Sequence, residues 1–102
     1  MNKINRKPRN EMMYKAIMSL QSMDECVQFF EDLCTVTELL ALEQRFQVAW
    51  LLSHGSTYND VLKETGASSA TISRVKRSLQ YGNDGYTAVF ERLEKELGEN
   101  SE

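Results

Sequence analysis

Turn-forming residues are scarce in this 102-residue sequence. One proline and five glycines are too few to punctuate an all-β chain of many short strands. No apolar run approaches the roughly 18 residues that a membrane-spanning helix needs. The basic N-terminus MNKINRKPRN is not followed by the hydrophobic stretch of a secretory signal, so the expected location is the cytoplasm. Histidine occurs once, as His54, and cysteine twice, as Cys26 and Cys34, with no C-x-x-C. That leaves too few ligands for a metal site, and none is expected. No carboxylates pair in an apolar setting and no glycine-rich phosphate loop is present, so no enzyme and no cofactor are expected. The two thiols read as small buried hydrophobes on one helix, reduced in the cytoplasm.

What is present suits one domain. The chain is 41% hydrophobic and 26% charged, an ordinary globular composition. Its net charge of −3 looks wrong for a nucleic-acid binder, but binding depends on local charge. Lys3, Arg6, Lys7 and Arg9 crowd the first ten residues without an acid, and Arg74, Lys76 and Arg77 lie in an acid-free stretch, 66–83. The acids collect near the end, at Glu91, Glu94, Glu96, Glu99 and Glu102.

Cap residues divide the rest into helices. Residues 1–9 lack apolar period and read as a mobile basic arm; 10–98 form a single helical domain; 99–102 are a solvated tail. Asn10 caps a helix over about 11–21, with Met13, Ile17 and Leu20 on one face. Ser22 and Glu25 form a capping box that opens a second helix to about Leu33. Thr35 and Glu38 form another, and its helix runs to about Ser53, with Gly55 as a left-handed stop. Apolar residues lie on most sides of this third helix, among them Leu39, Leu40, Leu42, Phe46, Val48, Trp50 and Leu52. Such a helix needs neighbours on most sides, and a chain of this length has few to offer, so a homodimer is expected. Short helices follow over about 57–65 and 69–80. Asn83 or Asp84 caps a last helix with a stripe of Tyr86, Val89, Phe90, Leu93 and Leu97, ended by Gly98.

Residues 58–77, YNDVLKETGASSATISRVKR, read as a helix-turn-helix. Gly66 supplies the left-handed turn residue and Ser68 the cap of the second helix. Ile72, Val75 and Leu79 are spaced to face Val61 and Thr65. That leaves Ser69, Ala70, Ser73, Arg74, Lys76 and Arg77 on the outer face. Small residues at the front let the helix enter a major groove, so Ser69, Ala70 and Ser73 are assigned to base edges. Arg74, Lys76, Arg77 and Lys63 are assigned to phosphates, while Ser68 and Thr71 complete the candidate DNA-binding set. The competing possibility is a helical dimer that docks a protein partner through the same surface.

The segments LLALEQR at 39–45, Leu51-Leu52 before Gly55, Gly66-Ala67, Ala70-Thr71-Ile72-Ser73-Arg74 and Ser78-Leu79 carry a resemblance. Over residues 33–93 the sequence resembles the Trp repressor superfamily, in particular its YerC/YecD-type Trp-repressor-related proteins. The resemblance implies an all-α, six-helix Trp-repressor-like fold with a helix-turn-helix. It also implies an intertwined homodimer, and a double-stranded DNA operator, expected as an inverted repeat, bound by a transcriptional regulator, expected as a repressor.

In Trp repressor two arginines sandwich the indole of the corepressor. Their counterparts here are Arg45 and Arg74, and Thr35 matches a threonine near that pocket. The candidate effector pocket is therefore Thr35, Arg45, Arg74 and Val75. Val75, however, stands where the family has a glycine that admits the flat indole. L-tryptophan binding is accordingly expected to be weak or absent, with Arg74 on phosphate and Arg45 in an ion pair with Glu43 or Glu38.

Overall fold

The computed structural model describes residues 8–100, with side chains described through residue 98. Six α-helices follow in order: α1 (Glu11–Met18), α2 (Met23–Leu33), α3 (Val36–Ser53), α4 (Tyr58–Thr65), α5 (Ser69–Tyr81) and α6 (Gly85–Asn100). No strand occurs among the described residues, and no described helix is long and apolar enough to cross a membrane. Most of the expected basic arm, including Lys3, Arg6 and Lys7, lies outside the described residues, as does the end of the expected tail. Pro8 and Arg9 are exposed.

Capping chemistry sets the boundaries. Asn10 accepts from the Met13 N–H at 3.2 Å, Ser22 from Glu25 at 3.1 Å, and Thr57 from Asp60 at 3.1 Å. Each satisfies an N–H that a helix start leaves unpaired. Thr35 and Glu38 form a reciprocal box, with the Thr35 hydroxyl accepting from Glu38 N–H at 3.1 Å and Glu38 Oε1 accepting from Thr35 N–H at 2.9 Å. Glu25 reaches back one residue further than expected, to the N–H of Gln21 at 2.9 Å.

Several boundaries differ from expectation. α1 ends at Met18 rather than near Gln21, because the Ser19 hydroxyl donates to the Ala16 carbonyl at 2.7 Å and closes the turn. Cys34 is the C-cap of α2 rather than a helical residue. Neither free cysteine is fully buried, so both differ from the expected core thiols. Gly98 does not stop α6, which runs on to Asn100; a lone glycine in an exposed helix costs only about 1 kcal/mol, which the helix tolerates. At its other end Asp84 takes the cap position with φ 67°, and its carbonyl accepts from Ala88 N–H.

The chain divides into two units, Met1–Glu43 and Gln44–Glu102. In the first, no described residue is buried. Met12, Met18, Met23, Val27, Leu33, Val36 and Leu40 are all exposed. The second holds the core: Val48, Ala49, Val61, Ala67, Ile72, Val75 and Phe90, flanked by Trp50, Leu51, Leu52, Leu62, Leu79 and Tyr86. Phe90 centres an aromatic group, with edge contacts to Phe46 and Trp50 at 5.4 and 5.2 Å and a tilted contact to Tyr86 at 5.4 Å. His54 stacks on Trp50 at 4.1 Å and pairs with Glu94 at 2.8 Å, linking the end of α3 to α6.

Candidate nucleic-acid interface

α4 and α5 lie within the second unit and are joined by a three-residue turn. Gly66 is left-handed, with φ 69°, the conformation that an L side chain resists. Its N–H donates to the Leu62 carbonyl at 3.0 Å. Thr65 braces the turn from both sides: its hydroxyl donates to Val61 at 2.7 Å and accepts from the Ala67 N–H at 3.0 Å. The Thr65 carbonyl in turn accepts from Gln44 Nε2 at 3.1 Å. This tie fastens the turn to α3. Sequence reasoning passed over it, and Gln44, set between Glu43 and Arg45, carries no local signal that would have revealed it.

Ser68 starts α5. Its Oγ accepts from the Thr71 N–H at 3.1 Å, and its hydroxyl donates to Thr71 Oγ1 at 3.2 Å. Thr71 is half-buried, so its hydroxyl is bound to the cap rather than projecting free like its neighbours. Ile72 and Val75 are each 1% exposed and pack with Val61 in the core, with Leu79 against its edge. These apolar anchors fix how α5 is rotated. They present Ser69, Ala70, Ser73, Arg74, Lys76 and Arg77 to solvent, and all six are exposed. Ser68 is exposed as well, and so is Lys63, in the last turn of α4. The result is a row of small side chains, Ser69, Ala70 and Ser73, at the front of the helix followed by three cations, a surface suited to base edges and phosphates.

An open hollow of about 590 Å³ runs beside this face, lined by Ala70, Ser73, Arg74, Arg77, Ser78, Tyr81 and Gly82. Tyr81 was not among the sequence candidates. Its spacing of four residues from Arg77 and seven from Arg74 was the available signal, obscured because the motif was read only as far as residue 77.

Of the candidate effector residues in the second unit, Arg74 lines this hollow and Arg45 and Val75 do not. Thr35 is occupied as the cap of α3, in the first unit. Arg45 is half-buried on α3 and does not line the hollow that Arg74 lines. Among the described residues it makes no ion pair, so the expected pairing with Glu43 or Glu38 is not found. Val75 is a core residue. No cluster of three metal-binding side chains occurs among the described residues.

Comparison with known proteins converges. The Trp repressor protein family matches residues 9–94. The uncharacterized protein YerC of Bacillus subtilis (strain 168) is 47% identical over 91 residues, covering 89% of this chain and 88% of its own. A Staphylococcus aureus crystal structure provisionally assigned as a Trp repressor superposes with a TM-score of 0.80 at 52% identity, covering 82% of this chain and 84% of that one. A TrpR-like protein from Eubacterium eligens ATCC 27750 does so with a TM-score of 0.79 at 59% identity, over 81% and 86%.

Proposed function

The chain belongs to the Trp repressor family of helix-turn-helix DNA-binding regulators, which are not enzymes, and from that membership we propose that it is a sequence-specific transcriptional repressor acting as a homodimer. One observation supports the DNA-contacting surface above others. Ile72 and Val75 are locked into the core while the small and cationic side chains of α5 stand exposed between them. In this reading Ser69, Ala70 and Ser73 meet base edges, and Lys63, Arg74, Lys76 and Arg77 neutralise phosphates. Ser68 and Thr71 set the start of the helix, where unpaired backbone N–H groups also favour a phosphate.

The homodimer is supported by the apolar side chains that one chain leaves uncovered. Leu40 is 58% and Val36 75% exposed on the first part of α3, and Phe46 is 39% exposed further along it. α1 and α2 contribute no buried residue at all. A second copy is the occupant that the family supplies for these faces. Two recognition helices related by a two-fold axis then read an inverted repeat, with half-sites about 34 Å apart, one turn of duplex.

L-tryptophan is not the effector in this proposal. The Val75 side chain fills the position where the family's glycine admits an indole, and its burial at 1% exposure supplies the core contact without a ligand. Arg74 is left to the phosphates.

The test is selection of bound sites from fragmented genomic DNA, with and without a panel of free amino acids. The expected outcome is enrichment of an inverted repeat that is insensitive to tryptophan. Failure to enrich any sequence over input would overturn the proposal.

A further inference from the structure

The DNA-facing stripe of α5 continues past its last cation. Ala70, Arg74, Arg77 and Tyr81 follow one another at spacings of four, three and four residues, which places them within roughly 60° of one another around the axis. All four line the same open hollow, and Tyr81 is 74% exposed. It lies outside the core cluster: the packing of α5 is carried by Ile72, Val75 and Leu79. The helix ends immediately after it. Gly82 N–H donates to the Ser78 carbonyl at 3.0 Å, and a Cβ on Gly82 would sit 2.5 Å from that same oxygen. The close turn at Gly82 thus leaves Tyr81 as the last helical residue, projecting from the stripe at the tip of α5.

Helix length decides what such a residue can reach. Tyr81 lies eleven residues beyond Ala70, about 16 Å along the axis. The major groove is only about 12 Å wide. When the front of α5 meets base edges, its far end has run out of groove and stands at the wall, where the exposed chemistry is sugar and phosphate.

We propose that Tyr81 is a further DNA-contact residue, donating its hydroxyl to a backbone phosphate oxygen at the groove wall while its ring lies against the adjoining deoxyribose. The assignment rests on the DNA-binding function proposed above and lengthens the contact face by one helical turn. The tyrosine brings no charge to the contact, which distinguishes it from the arginines on the same stripe. A hydroxyl that bonds a phosphate without displacing a counterion adds affinity but no salt dependence, whereas an arginine adds both.

Tyr81→Phe isolates the hydroxyl and leaves the ring, so folding is not at stake. Affinity is read by fluorescence anisotropy across a salt series, on a duplex enriched from genomic DNA by the wild-type protein and on a scrambled duplex of equal length. A hydrogen bond to a charged group predicts a roughly tenfold loss on both duplexes, with the slope of log affinity against log salt unchanged. Arg77→Ala, run in parallel, should lower that slope by about 0.9. If the wild-type protein binds and Arg77→Ala responds while Tyr81→Phe matches wild type, the Tyr81 assignment alone is overturned. A Tyr81→Phe loss confined to the enriched duplex overturns the backbone contact in favour of base reading. If the wild-type protein binds neither duplex, the DNA-binding function itself fails.

Discussion

Replacing Val75 with glycine separates two roles that the structure gives one side chain. Val75 is 1% exposed and packs in a core with Val48, Val61 and Ile72. Burying a valine fully contributes about 1.5–3 kcal/mol, and glycine in a helix interior costs about 1 kcal/mol more. The expected destabilisation is therefore about 3 kcal/mol, a large share of the roughly 5–15 kcal/mol that holds a domain folded. The chain has one tryptophan, and Trp50 stacks on His54 and meets the edge of Phe90. Its fluorescence reports urea unfolding of this unit directly, provided protein concentration is held fixed. A loss below about 1 kcal/mol would contradict the core role. Calorimetry with L-tryptophan then addresses the second role. The wild-type protein should show no micromolar binding, while Val75→Gly, by opening the indole position, should gain measurable heat. Micromolar binding by the wild type would refute the claim that Val75 occupies the ligand's place.

Other perturbations give separate checks. Arg77→Ala should weaken binding to all duplexes alike and flatten the salt dependence, measured by anisotropy from low to moderate ionic strength. Ser68→Ala removes the acceptor for Thr71 N–H and should lower unfolding free energy by about 1 kcal/mol in denaturant titration. Leu40→Glu places a charge on a residue 58% exposed in the lone chain; it should leave helix content intact by circular dichroism while shifting sedimentation toward monomer.

Much of this architecture was legible because caps and stripes are local. Asn10, Ser22, Thr35 and Ser68 all cap helices as side-chain acceptors, and each is recognisable from the two or three residues that follow it; Thr57, expected as the first helical residue, proves to be a cap as well. The outward face of α5 was equally readable, since the spacing of Ile72, Val75 and Leu79 dictates which positions remain outside. Helix ends were less readable. α1 stops at Ser19 through a hydroxyl bond to Ala16, and α6 passes through Gly98, where a left-handed stop and a tolerated glycine look alike in sequence. Long-range polar ties were hidden for a different reason. Gln44 to Thr65 spans 21 residues and His54 to Glu94 spans 40, and no periodicity along the chain announces either. The effector pocket rests on a family correspondence for Thr35, Arg45, Arg74 and Val75, and the burial of Val75 in the core is the one structural fact that bears on the space there.

In the proposed complex the exposed face of α5, paired in a homodimer, grips duplex DNA. Electrophoretic retardation of total genomic fragments at low salt, by protein shown to be dimeric in the same buffer, tests it most directly. Discrete retarded fragments, released steeply as salt rises, are the predicted result. A dimeric sample that retards no fragment at any protein concentration would contradict the account.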